Sequence, residues 1–106
     1  MTQNELKYLP LTEATYYIML SLAEPLHGYG VMQKVDRMSL GSVKVGPGTL
    51  YGAFNALEKS GLIHKVGEED RRKIYQLTDK GKKVLLLQIE RIEQMTENGL
   101  RVKGYL

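Results

Sequence analysis

Three short amphipathic stretches, two β-branched runs around a polar tip and one longer closing helix follow each other along this 106-residue chain. That order predicts a mainly α (α+β) fold, a winged helix-turn-helix with an additional C-terminal helix. Two further observations support it. The length is that of one domain, and 42% apolar with 25% charged residues is ordinary globular composition.

The first helix is expected to open at Thr12, whose hydroxyl can cap free backbone N–H groups. Ala14, Ile18, Ser21 and Leu22 share one face, and the helix should stop near Glu24-Pro25. A second helix spans residues 28–39, with Val31, Val35 and Met38 at helical spacing. Gly41 opens a loop through Lys44, Val45 and Gly46. The third helix starts at Pro47, a residue favoured at the first helical position. Leu50, Phe54 and Leu57 form its buried stripe, and Gly61 stands where a left-handed C-cap is expected. No one of these helices can bury its stripe alone, so they are expected to form one trihelical core.

The period then changes. Residues 62–66 and 73–77 read as strands, and residues 67–72 as the polar, glycine-containing tip of a hairpin. Thr78 caps the fourth helix, Asp79 suits its positive end, and Asn98-Gly99 is its expected stop. The chain thus divides into an N-terminal arm (1–10, closed by Pro10), a winged helix-turn-helix (11–78) and a C-terminal helix and tail (79–106).

Composition excludes several functions. There is no cysteine, and the two histidines, His27 and His64, are isolated, so no metal or other cofactor is implied. His27, just before the second helix, reads as a capping or packing residue, and His64 as an ordinary strand residue. Gly46-Pro47-Gly48 lacks the Gly-Lys-Ser/Thr ending of a phosphate loop. With no nucleophile–base pair either, an enzyme is not expected. The longest apolar runs, residues 16–20 and 84–87, are far short of a membrane span. The first residues, Met1-Thr2-Gln3-Asn4-Glu5-Leu6-Lys7, have no signal-peptide core, so a cytoplasmic location is expected. Fifteen Lys and Arg against 12 Asp and Glu leave a charge of +3, which permits a nucleic-acid partner without demonstrating one.

Three surfaces carry the functional signal. The buried stripe of the third helix leaves Gly48, Thr49, Tyr51, Gly52, Asn55 and Glu58 outward. On a recognition helix Thr49 and Tyr51 can reach phosphates or base edges, and Asn55 can pair with adenine. The bland alternative is a solvated face. At the hairpin tip Arg71, Arg72 and Lys73 suit phosphate contact, but Glu68, Glu69 and Asp70 precede them and cut the local field. Lys44 is a further phosphate candidate. On the fourth helix Val84, Leu85, Leu86 and Leu87 wrap more than half the circumference. Leu85, Ile89, Ile92 and Thr96 then continue as a coiled-coil-like seam, which implies a second copy of the chain as partner.

Four blocks in register carry a family resemblance. They are Leu26-His27-Gly28-Tyr29-Gly30, Gly46-Pro47-Gly48-Thr49-Leu50-Tyr51, Leu57-Glu58-Lys59-Ser60-Gly61-Leu62-Ile63 and Arg72-Lys73-Ile74-Tyr75-Gln76-Leu77-Thr78-Asp79-Lys80-Gly81-Lys82. Across residues 11–83 the chain resembles the PadR family of bacterial transcription regulators, in its short subgroup with one C-terminal helix. The resemblance implies a homodimeric repressor bound to double-stranded DNA at a pseudo-palindromic operator. It assigns Thr49, Tyr51 and Asn55 to the major groove, Arg71, Arg72 and Lys73 to the wing, and Tyr29 and Lys44 to supporting backbone contacts. It makes the fourth helix a dimerisation helix. Some short members bind flat aromatic compounds between subunits through a tryptophan on this helix. Here Ile92 stands at the matching place, and the chain has no tryptophan. A small hydrophobic effector between Tyr16, Ile89 and Ile92 and a solidly packed interface both stay open. So does a winged-helix protein-interaction module without DNA binding.

Overall fold

A computed structural model describes residues 3–106. The elements run α1 (Gln3–Leu6), α2 (Glu13–Ser21), β1 (Leu26–His27), α3 (Gly28–Met38), α4 (Pro47–Lys59), β2 (Ile63–Glu69), β3 (Arg72–Leu77) and α5 (Asp79–Lys103). The strands form one antiparallel sheet in the order β1-β3-β2. Helices α2, α3 and α4 are the three expected core helices, β2 and β3 make the wing, and α5 is the appended helix.

The helical stripes meet as the periodicity predicts. Ile18 and Leu22 from the α2 segment, Val31 and Val35 from α3, and Leu50, Phe54 and Leu57 from α4 are all buried. Leu62, Ile63 and Leu77 close this core from the sheet side, and Val84 from α5. Met38 departs from expectation at 38% exposed. It is the last residue of α3, and the chain turns away immediately through Leu40 and Gly41, both at positive φ.

Thr12 caps α2 as expected, its hydroxyl accepting the Thr15 N–H at 3.1 Å. The helix nevertheless ends at Ser21, earlier than Pro25 would require. A tertiary bond decides this. The Leu22 carbonyl leaves the helix and accepts the N–H of Leu77 at 3.0 Å, which fastens the end of α2 to β3. The expected polar arm also differs, because its described part folds back on the domain. Tyr8, Leu9 and Leu11 pack against the core, and the Leu11 N–H reaches the buried Gln88 Oε1 at 3.1 Å. The first two residues of the arm lie outside the described ones.

The wing is longer and tighter than the sequence predicts. The expected tip, residues 67–72, shrinks to Asp70-Arg71, at φ 50° and 66°. Two left-handed residues in a two-residue loop are the signature of the type I′ hairpin turn, whose twist matches that of the strands. Glu68 lies opposite Lys73 and Glu69 opposite Arg72, and such cross-strand charge pairs favour continued pairing. Gly67 is therefore a strand residue, set beyond a bulge at Val66.

Helix α5 runs to Lys103, past the expected stop at Asn98-Gly99. One interior glycine costs about 1 kcal/mol relative to alanine and does not by itself end a helix. Here the turn is bridged by Gln94–Asn98 and Glu97–Arg101 contacts, and Arg101 and Lys103 suit the negative end of the helix dipole.

At its other end α5 rests directly on backbone. A Cβ on Gly81 would collide with the Leu62 carbonyl oxygen, so only glycine fits. Thr78 fixes the same corner: its hydroxyl donates to the Gly61 carbonyl at 2.6 Å and accepts the Gly81 N–H at 3.0 Å. Gly81→Ala is therefore expected to lower stability by about 3 kcal/mol, the upper part of the range for overpacking. Thr78→Ala should cost about 1 kcal/mol through loss of the cap. Urea midpoints at unchanged slope measure both. A Gly81→Ala loss below about 0.5 kcal/mol, the range of ordinary surface changes, would contradict the close approach.

Candidate nucleic-acid interface

The first turn of α3 crosses α4 with no space between them. A Cβ on Gly28 would stand 2.8 Å from the Tyr51 hydroxyl and 2.9 Å from Leu50 Cδ2. His27 caps α3, its Nδ1 accepting the Gly30 N–H at 3.1 Å. The short β1 strand holds this corner to the wing, with Leu26 opposite Tyr75 and His27 opposite Ile74. Pairing of β1 with β3 thus brings the start of α3, the outer side of α4 and the wing around one concavity.

That concavity is a cleft of about 450 Å³ lined by residues 27–29 of the α3 corner, Tyr51, Phe54 and Asn55 of α4, and residues 71–73 and 75 of the wing. Its floor is aromatic. Phe54 meets the Tyr51 ring edge-on at 6.2 Å and the Tyr75 ring tilted at 4.9 Å. Such pairs contribute about 0.5–1.5 kcal/mol each beyond their buried area. Phe54 and Tyr75 are buried, whereas Tyr29 and Tyr51 are half exposed. Burial pushes the Tyr75 hydroxyl above its ordinary pKa; Glu58 and Tyr51 act in the same direction and Lys65 opposes them.

Arg71, Arg72 and Lys73 line the cleft, and no carboxylate does so among the described residues. Glu68 is instead held by Lys65 at 3.0 Å. Glu68 and Glu69 nevertheless stand opposite Lys73 and Arg72 in the hairpin, so the wing carries both signs and only its cations reach the cleft lining. The described residues contain no group of three or more His, Asp or Glu able to hold a metal ion. No helix among them is long and apolar enough to cross a membrane.

The model of the transcriptional regulator PadR-like family matches residues 18–86, well over half of the chain. The chain belongs to that family. It is a family of transcriptional regulators, not of enzymes. A transcriptional regulator from Clostridium thermocellum, Cth-833, superposes with a TM-score of 0.69 at 25% identity, covering 95% of both chains. The protein smu.1704 from Streptococcus mutans UA159 gives 0.69 at 28% identity, covering 93% of this chain and 96% of that one. An uncharacterized 37.1 kDa protein in transposon TN4556 of Streptomyces fradiae is 34% identical over 74 residues, 69% of this chain. The chain spans only 21% of that relative's length.

Of the DNA-contact residues expected for this PadR-like chain, Tyr29, Tyr51, Asn55, Arg71, Arg72 and Lys73 come together in the cleft. Thr49 is exposed on the first turn of α4 but outside the lining. Lys44 is outside too, 3.7 Å from Asp36 in an exposed pair of little energetic weight. Sequence reasoning missed four lining residues: His27 as more than a cap, Gly28 beside it, and the floor residues Phe54 and Tyr75. The alternation Tyr75-Gln76-Leu77 was the available sign that Tyr75 points inward, because Leu77 is core.

Helix α5 corrects part of the expected seam. Leu85 is only 7% exposed and belongs to the chain's own core, as do Val84 and Leu87. Ile89 and Ile92 are half-buried and Thr96 is exposed. Leu86, Met95 and Leu100 are between 59% and 64% exposed, so the uncovered apolar surface extends along most of α5. The three candidate effector residues do not share one site. Tyr16 and Ile92 line a groove of about 520 Å³ between α2 and α5. Ile89 lines a second groove of about 280 Å³ with Leu77, Leu85 and Leu86.

The Tyr75 hydroxyl gives this site a titration signature. Folding raises its pKa, so the unfolded chain ionises first, at about pH 10. Stability from this group is complete below pH 10 and falls as pH rises through the higher folded value. Tyr75→Phe is expected to flatten the alkaline loss of stability followed by denaturant titration between about pH 9 and 11. An unchanged alkaline slope would show that Tyr75 is not the group responsible.

Proposed function

We propose that this PadR-like chain is a cytoplasmic, homodimeric, sequence-specific DNA-binding protein, a repressor that occludes a promoter at a pseudo-palindromic operator. The observation that supports this most is the cleft in which Arg71, Arg72 and Lys73 of the wing meet Tyr51 and Asn55 of α4. A cation-lined, carboxylate-free cleft beside an exposed helix face matches a polyanion of regular shape. In this reading the first two turns of α4 enter the major groove, with Thr49, Tyr51 and Asn55 toward the bases. Arg71, Arg72 and Lys73 neutralise flanking phosphates, and Tyr29 and Lys44 add backbone contacts.

Two copies pair through the apolar face of α5, from Ile89 and Ile92 to Thr96, joined by Leu86 and Leu100. Their recognition helices would then stand roughly 34–36 Å apart to meet successive major grooves. A small hydrophobic effector, where one acts, enters at the Tyr16–Ile92 groove and shifts the dimer toward a geometry in which that spacing is wrong. A protein-interaction module without DNA binding draws support only from the uncovered face of α5, which a second copy already explains.

The test is a titration of a labelled fragment of the protein's own upstream region beside an unrelated duplex, at several salt concentrations. The upstream fragment is expected to bind at least about 10³ tighter. Arg72→Ala should weaken all sequences alike and reduce the salt slope by about one. Asn55→Ala should leave the slope unchanged and lower discrimination by about 1–3 kcal/mol at one base position. No binding at low salt would overturn the proposal.

A further inference from the structure

We infer that His27 is a DNA-backbone contact locked in one tautomer, a neutral hydrogen-bond donor placed between α3 and the wing. The inference rests on the DNA-binding reading and adds a residue that the positions above do not include.

Three observations converge on this side chain. Its Nδ1 accepts the Gly30 N–H at 3.1 Å. A backbone N–H can only donate, so Nδ1 carries no proton and the neutral ring must hold its proton on Nε2. The main chain of His27 is fixed as well, paired in β1 opposite Ile74 of the wing strand. His27 also lines the cleft, in company with Tyr29, Asn55, Arg71 and Arg72. His27 is thus held by α3 through its side chain and by the wing through its backbone, with its remaining nitrogen an obligate donor. A phosphate oxygen is the acceptor that this cleft is built to receive.

The mode of contact differs from that of the wing cations. An arginine on a phosphate releases a counterion and contributes to the salt slope, whereas a neutral imidazole N–H releases none. It contributes affinity and fixes the distance between the α3 corner and the strand it touches. The helix cap enforces the tautomer, because a proton on Nδ1 would face the Gly30 N–H donor.

His27→Asn separates capping from contact. Asparagine is a favoured N-cap whose oxygen can accept the Gly30 N–H, but it is too short to bring a donor to the Nε2 position. The variant is expected to keep the thermal midpoint within a few degrees and to lose about tenfold in affinity for specific and unrelated duplexes alike. Its salt slope should equal that of the unaltered protein. Unaltered affinity in a folded His27→Asn chain overturns the inference and leaves His27 a cap alone. Failure of the unaltered protein to bind any duplex removes this inference together with the DNA reading. A second readout needs no variant: nitrogen NMR of the free protein should show His27 with the proton on Nε2. A proton on Nδ1 would overturn the inference by itself.

Discussion

The start of α5 lies directly on the corner that ends α4, and most of the architecture follows from that contact. Gly81 lets the α5 backbone touch the Leu62 carbonyl, and Thr78 spans the gap. The Thr78 N–H donates to the same Leu62 carbonyl at 3.0 Å, and Lys80 Nζ to the Ser60 carbonyl at 3.1 Å. The carbonyls of residues 60–62, just past the end of α4, are therefore satisfied by the residues that open α5. A helix with an exposed polar face and a helix with an uncovered apolar face share one hydrogen-bonded corner. Whatever fixes the angle between two copies of α5 also fixes the angle between two copies of α4.

The cleft depends on a smaller device at the opposite edge of the domain. Two residues, Leu26 and His27, pair with β3 and bring the N-terminus of α3 against the wing. They tie the start of α3 to the strand that carries Arg72 and Lys73. The aromatic contacts from Tyr51 through Phe54 to Tyr75 make the same connection from below. Position here comes from apolar packing and backbone pairing, and the charges are carried on that frame.

How much of this was legible in the sequence follows from the range of the interactions. Helix stripes such as Leu50, Phe54 and Leu57, and caps such as Thr12 and Thr78, are local and were readable from spacing and residue type. The outward set on α4, including Thr49, Tyr51 and Asn55, was readable for the same reason. The two-residue strand β1 was not, because nothing local distinguishes it from a loop and its partner is far along the chain. The wing tip was misjudged because Gly67 and consecutive charges resemble a loop, whereas cross-strand pairing and a tight left-handed turn keep them in strands. Leu85 was misassigned because four consecutive apolar residues do not say which of them the domain itself consumes. The gathering of the wing cations beside Tyr51 and Asn55 of α4 is a tertiary result that no spacing rule contains.

If nucleic acid is gripped between α4 and the wing, backbone-amide NMR during titration with an upstream duplex will show it. Shifts should concentrate at residues 48–55 of α4, at the wing residues 71–73 and at the α3 corner around His27 and Tyr29. The exposed distal half of α5 should remain unperturbed. Perturbations confined to α5, with the cleft silent, would rule out that grip and make the apolar face of α5 the working surface.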